Sequence, residues 1–337
     1  MTTAHRPRIA FLTGHPRSGS TLLATRLAHH SQIHTTAETH FMDYSAHGAL
    51  LSRLAARLNR DRFVRFTVDR NPRLRDLSLT QVQMRDAART AFPSRRDAFA
   101  SILAAEAAQA RRPVLLEKTP RHLEFIPQLI RWFPDAPILI MIRDGRDAVL
   151  SLLRVPWASD DPIRHAAHWI ENTRAAHRYA ARWPDRVRLV RYEDMLSDPR
   201  SIMGDVCRDI GVDFEDGMLT ETGASSTIPA WEAPWKAHSA EPPDPAMAAR
   251  WRTHPDVALI ARLTQLLQTD LIRCGYPVDE SLSPPTLTDR IALGLGRLKH
   301  RTFLARLVYL QFTSTAQHEA QRHSGENGSP HVFDGRH

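Results

Sequence analysis

The chain has 337 residues, 42% of them hydrophobic, a formal net charge of +8 and two cysteines, Cys207 and Cys274. That length buries a large core, as one α/β domain with helical additions or as two domains, while cysteines so few and so far apart give neither a disulfide framework nor a metal-ligand spacing. The positive charge is mostly arginine mixed with Asp and Glu in helical segments, which suits an anionic ligand, an anionic surface or simply an arginine-rich exterior; no zinc-ligand pattern, RNA-recognition signature or basic-aromatic repeat points to nucleic acid.

An apolar run at 9–12 leads into a Gly/Pro/Ser-rich loop and then into apolar positions at helical spacing, Leu22, Leu23 and Leu27. The order reads as strand, phosphate-binding loop and helix. The loop, Gly14-His15-Pro16-Arg17-Ser18-Gly19-Ser20-Thr21, meets the pattern G-x-x-x-x-G-K-[ST] except that Ser20 replaces the lysine. Backbone N–H groups and a helix N-terminus would still face an anion. The lysine that reaches the β- and γ-phosphates of a nucleoside triphosphate is missing, and a basic side chain stands inside the loop as Arg17. The expected ligand is therefore a nucleotide with a reactive anionic group rather than ATP undergoing hydrolysis. A Gly/Ser turn that merely starts a helix is the competing reading, and the preceding strand with intact glycine spacing speaks against it.

Residues 31–39 read as a short strand or extended loop, and 41–112 as a largely helical insert with periodicity over 49–58 and 98–110. Within the insert, 67–76 contains Asn71-Pro72 and reads as a loop. A buried strand at 113–118 runs into Thr119-Pro120, and a helix at 123–133 is stopped by Pro134. The most apolar strand, 137–142, ends in Arg143-Asp144-Gly145-Arg146-Asp147 and passes into a helix at 148–153. A long amphipathic helix over 162–183, a strand over 187–192 and a helix over 201–210 follow. This alternation predicts an α/β fold, a P-loop NTPase-like central parallel sheet flanked by helices, with ligands beyond the carboxyl ends of the strands. Arg17, Lys118 and Arg143 all follow strands.

From 220 to 245 the composition shifts to Pro, Ser, Ala and Trp, which predicts a long ordered loop or lid carrying Trp231, Trp235 and Lys236. Helical periodicity returns over 257–274. The segment 291–312 alternates apolar and basic residues; peripheral contact with a membrane or a partner is one reading, and a helix packed on its own domain is the preferred one. The tail from Ser314 is polar and expected to be disordered. No apolar run is long enough to cross a bilayer and no signal-peptide core is evident, so a soluble or peripheral, cytoplasmic protein is expected. The expected layout is a domain over 1–285, containing the insert 41–112 and the loop 220–245, followed by an amphipathic segment and tail over 286–337.

Four features combine: the loop with Arg17 and no lysine, Glu38 shortly after the first helix, Lys118 after a strand, and Arg143 with a serine eight residues later, Ser151. The combination resembles the sulfotransferases that use 3′-phosphoadenosine 5′-phosphosulfate (PAPS). Residues 16–22 resemble their 5′-phosphosulfate loop and 143–151 their 3′-phosphate motif. Val190-Arg191-Tyr192-Glu193-Asp194 with Asp198-Pro199 is similar to a further segment common in the family. The likeness spans roughly 8–276, with the insert only loosely matched, and is closer to the protein-tyrosine and carbohydrate-type branch, where an arginine occupies the loop and a glutamate follows at this distance.

The resemblance implies a role for each residue. Arg17 bridges the 5′-phosphate and the sulfuryl oxygens, since its planar fork suits two anionic oxygens. The backbone of Ser18, Gly19, Ser20 and Thr21, with the Ser20 and Thr21 hydroxyls, holds the 5′-phosphate. Lys118 stabilises the leaving oxygen, and Arg143 with Ser151 clamps the 3′-phosphate. Tyr192 and Lys236 join the cofactor site. These cations take the place of magnesium, so no metal is expected. Glu38 is the candidate general base, against the plainer reading of a surface carboxylate; His34 and His40 are the fallbacks, because other branches use a histidine. The acceptor is a hydroxyl on a small metabolite, a glycan or a lipid, with tyrosine also compatible; the sequence does not give the oligomeric state. The rival readings are a P-loop kinase or NTPase with Asp144 on magnesium, which Ser20 and Arg143 oppose, and a non-catalytic nucleotide-binding protein.

Overall fold

The computed structural model describes residues 7–46, 59–221, 228–232, 236, 241–278 and 284–298. The expected helix at 49–58, Trp235, the part of the C-terminal segment from 299 onward and the polar tail lie outside these residues.

Five parallel strands form one sheet in the order β2-β3-β1-β4-β5: β1 Arg8–Gly14, β2 Ile33–Thr35, β3 Val114–Lys118, β4 Ile138–Ile142 and β5 Val187–Arg191. The runs are nearly continuous in apolar residues because both faces are covered. Successive side chains of a strand point to opposite faces, and the core divides accordingly. Phe11, Leu115, Ile138, Ile140 and Ile142 enter one cluster, with Phe41 and Phe99 of the insert. Ala10, Leu12, Val114, Leu116, Leu139 and Met141 enter the other, with Leu23 and Leu27 of helix α1 (Ser20–Ala28) and Val206 and Ile210 of the helix Pro199–Ile210. Helix α2 (Phe41–Ala46) anchors the insert where the Phe41 and Phe99 rings stack at 4.2 Å.

Two expected segments take a different local form. Residues 67–76 are not an open loop: Arg65–Asp69 form a wide helical turn closed by Arg70 N–H on Arg65 O, and Pro72–Asp76 form a 3₁₀ turn. Asn71 explains the second turn, because its side-chain oxygen accepts from Arg73 N–H while its amide donates to Thr39 O at 2.8 Å. The single helix expected over 123–133 is split into a 3₁₀ turn, Pro120–Phe125, and a helix, Ile126–Trp132, with Pro127 in the first turn, where its missing N–H costs nothing.

The chain divides into two compact units, Met1–Arg143 with Asn172–Ala249, and Asp144–Glu171 with Arg250–His337. The first contains the sheet. In the second, Ala148, Val149, Trp169, Leu263 and Leu267 form their own core, and Arg146 chelates Asp144 at 2.7 Å while stacking 3.6 Å above the Trp251 ring. The last described helix, 287–298, belongs to this unit, where Arg297 pairs with Glu171. No described helix is long and apolar enough to cross a membrane.

Candidate active site

Strand β1 ends at Gly14, where a Cβ would stand 2.5 Å from Met141 O of β4; only glycine lets the chain leave the strand so close to its neighbour. The loop then turns through two left-handed residues, Arg17 (φ 68°) and Gly19 (φ 93°). Gly19 begins α1 without a side-chain cap, and a Cβ on it would stand 2.3 Å from the Tyr192 ring. The first-turn amides of an uncapped helix point outward without intrahelical partners. Ser18 is fully buried, and its Oγ has no hydrogen-bond partner among the described residues. At the mouth of the loop, Asn172 Nδ2 donates to His15 Nδ1 at 3.1 Å.

The segment following β2 is pinned to β3 and its outgoing turn. Thr36 N–H donates to Leu116 O, Thr39 Oγ1 to Glu117 Oε1 at 2.7 Å, and His40 N–H to Thr119 Oγ1. Glu117 also accepts from Thr119 Oγ1 and pairs with His122 Nδ1 at 2.9 Å, while Met42 N–H donates to His122 Nε2. His122 is therefore the Nδ1-protonated tautomer. This buried cage fixes Glu38, which lies just upstream of it.

Glu38 is the centre of a charged cluster. Its Oε1 accepts from Lys118 Nζ and Lys236 Nζ, both at 2.8 Å, and its Oε2 lies 3.1 Å from His40 Nε2. Lys236 also holds Glu232, which reaches Arg73 at 3.3 Å; Arg73 in turn stacks 4.2 Å over Trp231. Burial pushes the Glu38 carboxyl up, but the two lysines and His40 outweigh it and hold it well below the usual carboxylate range. The lysines diverge although they share one oxygen. Full burial and the repulsion of Lys236 outweigh Glu38 and lower Lys118; burial also lowers Lys236, but Glu38 and Glu232 together overcome it and raise the group. Arg17 is lowered by burial and by the repulsion of Arg143, with Glu38 and Glu232 pulling the other way.

Arg143, directly after β4, lies 4.4 Å over the Tyr192 ring and donates to Arg17 O at 3.3 Å and Met247 O at 3.4 Å. The first unit thus brings Arg17, Ser18, Gly19, Arg143 and Tyr192 together around the loop, and Glu38, Lys118 and Lys236 into one ion cluster. Ser151 lies in the second unit, on the helix Gly145–Leu152. Asp144, the carboxylate that a magnesium-dependent reading requires, is occupied by Arg146. His34 faces Glu106 at 3.3 Å instead of Glu38. Sequence reasoning missed Glu232, Arg73, Asp43 and Arg121. The one local signal was the four-residue spacing of Glu232 and Lys236, a helical ion-pair spacing.

Residues 8–216, more than half of the chain, match the sequence profile of the sulfotransferase family. The sulfotransferase domain of the Synechococcus PCC 7002 olefin synthase is similar over 83% of this chain and 99% of its own, with a TM-score of 0.58 at 23% identity. The sulfotransferase domain of the curacin biosynthetic pathway is similar over 81% and 99%, with a TM-score of 0.58 at 19% identity. At such identities the structural likeness concerns the fold. No curated protein sequence matches. With its five-stranded parallel sheet shared with those domains and its sequence profile matched from β1 onward, the chain belongs to the sulfotransferase family.

Proposed function

We propose that this sulfotransferase moves the sulfuryl group of PAPS to an acceptor hydroxyl, with Glu38 as general base. The observation that carries the reading is the Glu38 cluster: a partly buried carboxylate meeting two lysines on one oxygen, within the electrostatic reach of Arg17 of the anion loop. Two features fit the anionic co-substrate. Ser18 Oγ is buried without a partner among the described residues, and α1 starts uncapped at the same turn. PAPS supplies an activated sulfuryl group on a phosphate that departs as an anion.

The residues of the chain do the rest. Backbone N–H groups from Ser18 to Thr21 and the Ser20 and Thr21 hydroxyls hold the 5′-phosphate. Arg17 neutralises the sulfuryl oxygens, and Lys118 meets the charge that develops on the leaving oxygen; its lowered proton affinity suits it to that position. Arg143, stacked on Tyr192, meets the 3′-phosphate, and Lys236 supports the cofactor from the loop that follows. Glu38 accepts the proton of the acceptor. The loop arginine with Glu38 supports a likeness to the protein-tyrosine and carbohydrate-type branch, and a small metabolite, glycan or lipid hydroxyl is the preferred acceptor, with tyrosine also compatible.

Calorimetric titration with adenosine 3′,5′-bisphosphate beside ADP with magnesium tests this reading. The bisphosphate binds preferentially, and Arg143→Ala weakens it by about tenfold to a hundredfold, the worth of one charge-assisted phosphate contact. Preference for ADP with magnesium overturns it.

A further inference from the structure

We infer that His40 is a charged strut that positions Glu38: its ring, protonated on both nitrogens, holds Glu38 Oε2 and Asp43 Oδ2 at once and leaves Glu38 Oε1 as the oxygen that takes the acceptor proton. The inference rests on the reading of Glu38 as the base.

The geometry fixes the charge. His40 Nε2 lies 3.1 Å from Glu38 Oε2 and Nδ1 lies 2.6 Å from Asp43 Oδ2. Ionised carboxylates only accept hydrogen bonds. A neutral ring satisfies one of them and turns a lone pair on the other, whereas an imidazolium donates to both. The surrounding groups agree. Asp43 also faces Arg121 at 3.6 Å, and against its burial Arg121, with the hydrogen bond and charge of His40, holds it down to about 2, so it stays ionised. Tyr44 lies next to Asp43 in the same electrostatic environment, and Thr119 Oγ1 receives the His40 backbone N–H. Across Glu38 stand Lys118 and Lys236. Burial lowers His40, and the bonds and charges of Asp43 and Glu38 more than reverse it, raising the ring above its ordinary value. The backbone of His40 is left-handed, with φ 46°, a conformation a histidine keeps only when its neighbours over-determine it.

The strut makes the two oxygens of Glu38 unequal. Oε2 is committed to His40. Oε1 accepts from Lys118 and Lys236, the cations proposed to meet the leaving oxygen and the cofactor, and so lies on the side of the reacting atoms and opens to the acceptor proton as those lysines turn to the anionic oxygens of the co-substrate. As the acceptor oxygen forms its bond to sulfur and the bond from sulfur to the 5′-phosphate oxygen breaks, the acceptor proton passes to Glu38 Oε1. His40 keeps both of its protons and touches neither substrate. It is a positioning residue.

The test is spectroscopic and needs no acceptor. In the full-length protein, ¹⁵N-histidine NMR reports the protonation of His40, identified by its loss in His40→Gln, and ¹³C-carboxyl NMR follows Glu38, identified by Glu38→Gln. The ring is doubly protonated at pH 7, and Asp43→Asn lowers its titration by about one pH unit. In His40→Gln the Glu38 carboxyl titrates about one pH unit higher, having lost one cation, while affinity for adenosine 3′,5′-bisphosphate stays within about threefold. A neutral His40 at pH 7, or a Glu38 titration unmoved by its removal, overturns the inference; a purely structural histidine gives the second result. Asp43→Asn keeps the ring in place and decides the matter if His40→Gln does not fold. Failure of the wild-type protein to bind the bisphosphate counts against the cofactor reading and leaves the NMR result to judge the strut.

Discussion

Lys118 has no solvent exposure, yet it ends a strand whose other residues are mostly apolar. A buried ammonium is tolerated only with a partner, and the partner within hydrogen-bond distance is Glu38. Glu38→Gln is therefore expected to destabilise the protein by about 3–5 kcal/mol in urea unfolding. Adding Lys118→Met recovers part of the loss, because the stranded charge goes with the lysine. Equal, additive losses from the two changes would mean that the pair is not coupled. Arg17, Lys118 and Glu38 could each be picked out in the sequence, since each stands at a fixed distance from a strand or loop pattern. Lys236 meets Glu38 from 198 positions away, and Arg73 meets Glu232 across 159. No local pattern encodes those meetings.

At the level of elements, the sheet was readable because doubly covered parallel strands leave continuous apolar runs, as in Ile138–Ile142. The loop from Gly14 to Gly19 was readable because two of its three positive-φ positions are written as glycines, the third being Arg17. The insert was harder to read. Its turn at Pro72–Asp76 depends on Asn71 bonding Thr39, a contact 32 residues distant, and its docking depends on Phe41 stacking on Phe99. Those tertiary contacts override the loop signal that Asn-Pro gives locally. The short stretch from Thr36 to His40 likewise carries no local signal in the sequence, and is held in place through the hydrogen bonds of Glu117, Thr119 and His122.

For the whole molecule, two groups of carboxyls set opposite pH dependences. Asp43 titrates at about 2 and Glu117 below its usual range, each despite burial. The unfolded chain holds protons there that the folded chain has released, so their stabilisation is present above about pH 4 and is lost as acid approaches the folded values. Glu124 behaves in the other sense: burial, reinforced by Asp43 and only partly opposed by Arg121, raises it to about 7. Between about pH 4.3 and 7 the folded protein holds a proton the unfolded chain has lost, so this contribution declines across that window. Glu124→Gln is thus expected to stabilise the protein by on the order of 2 kcal/mol at pH 8 and by almost nothing at pH 4. Urea unfolding at both pH values checks this, and an equal effect at both sinks it.

Arg17 has a bearing on how the protein can be altered. Its left-handed backbone, at φ 68°, costs a non-glycine residue about 1 kcal/mol, and the desolvation of its guanidinium and the repulsion of Arg143 outweigh the pull of Glu38 and Glu232. In the absence of an anion, the residue proposed to grip the sulfuryl group is a burden on the fold. Selection for heat resistance alone would favour asparagine there, which accepts the backbone and removes the charge. Survivors carrying Arg17→Asn would outlast the parent on heating while having lost their hold on the donor, so engineering for durability has to screen for ligand binding in the same round.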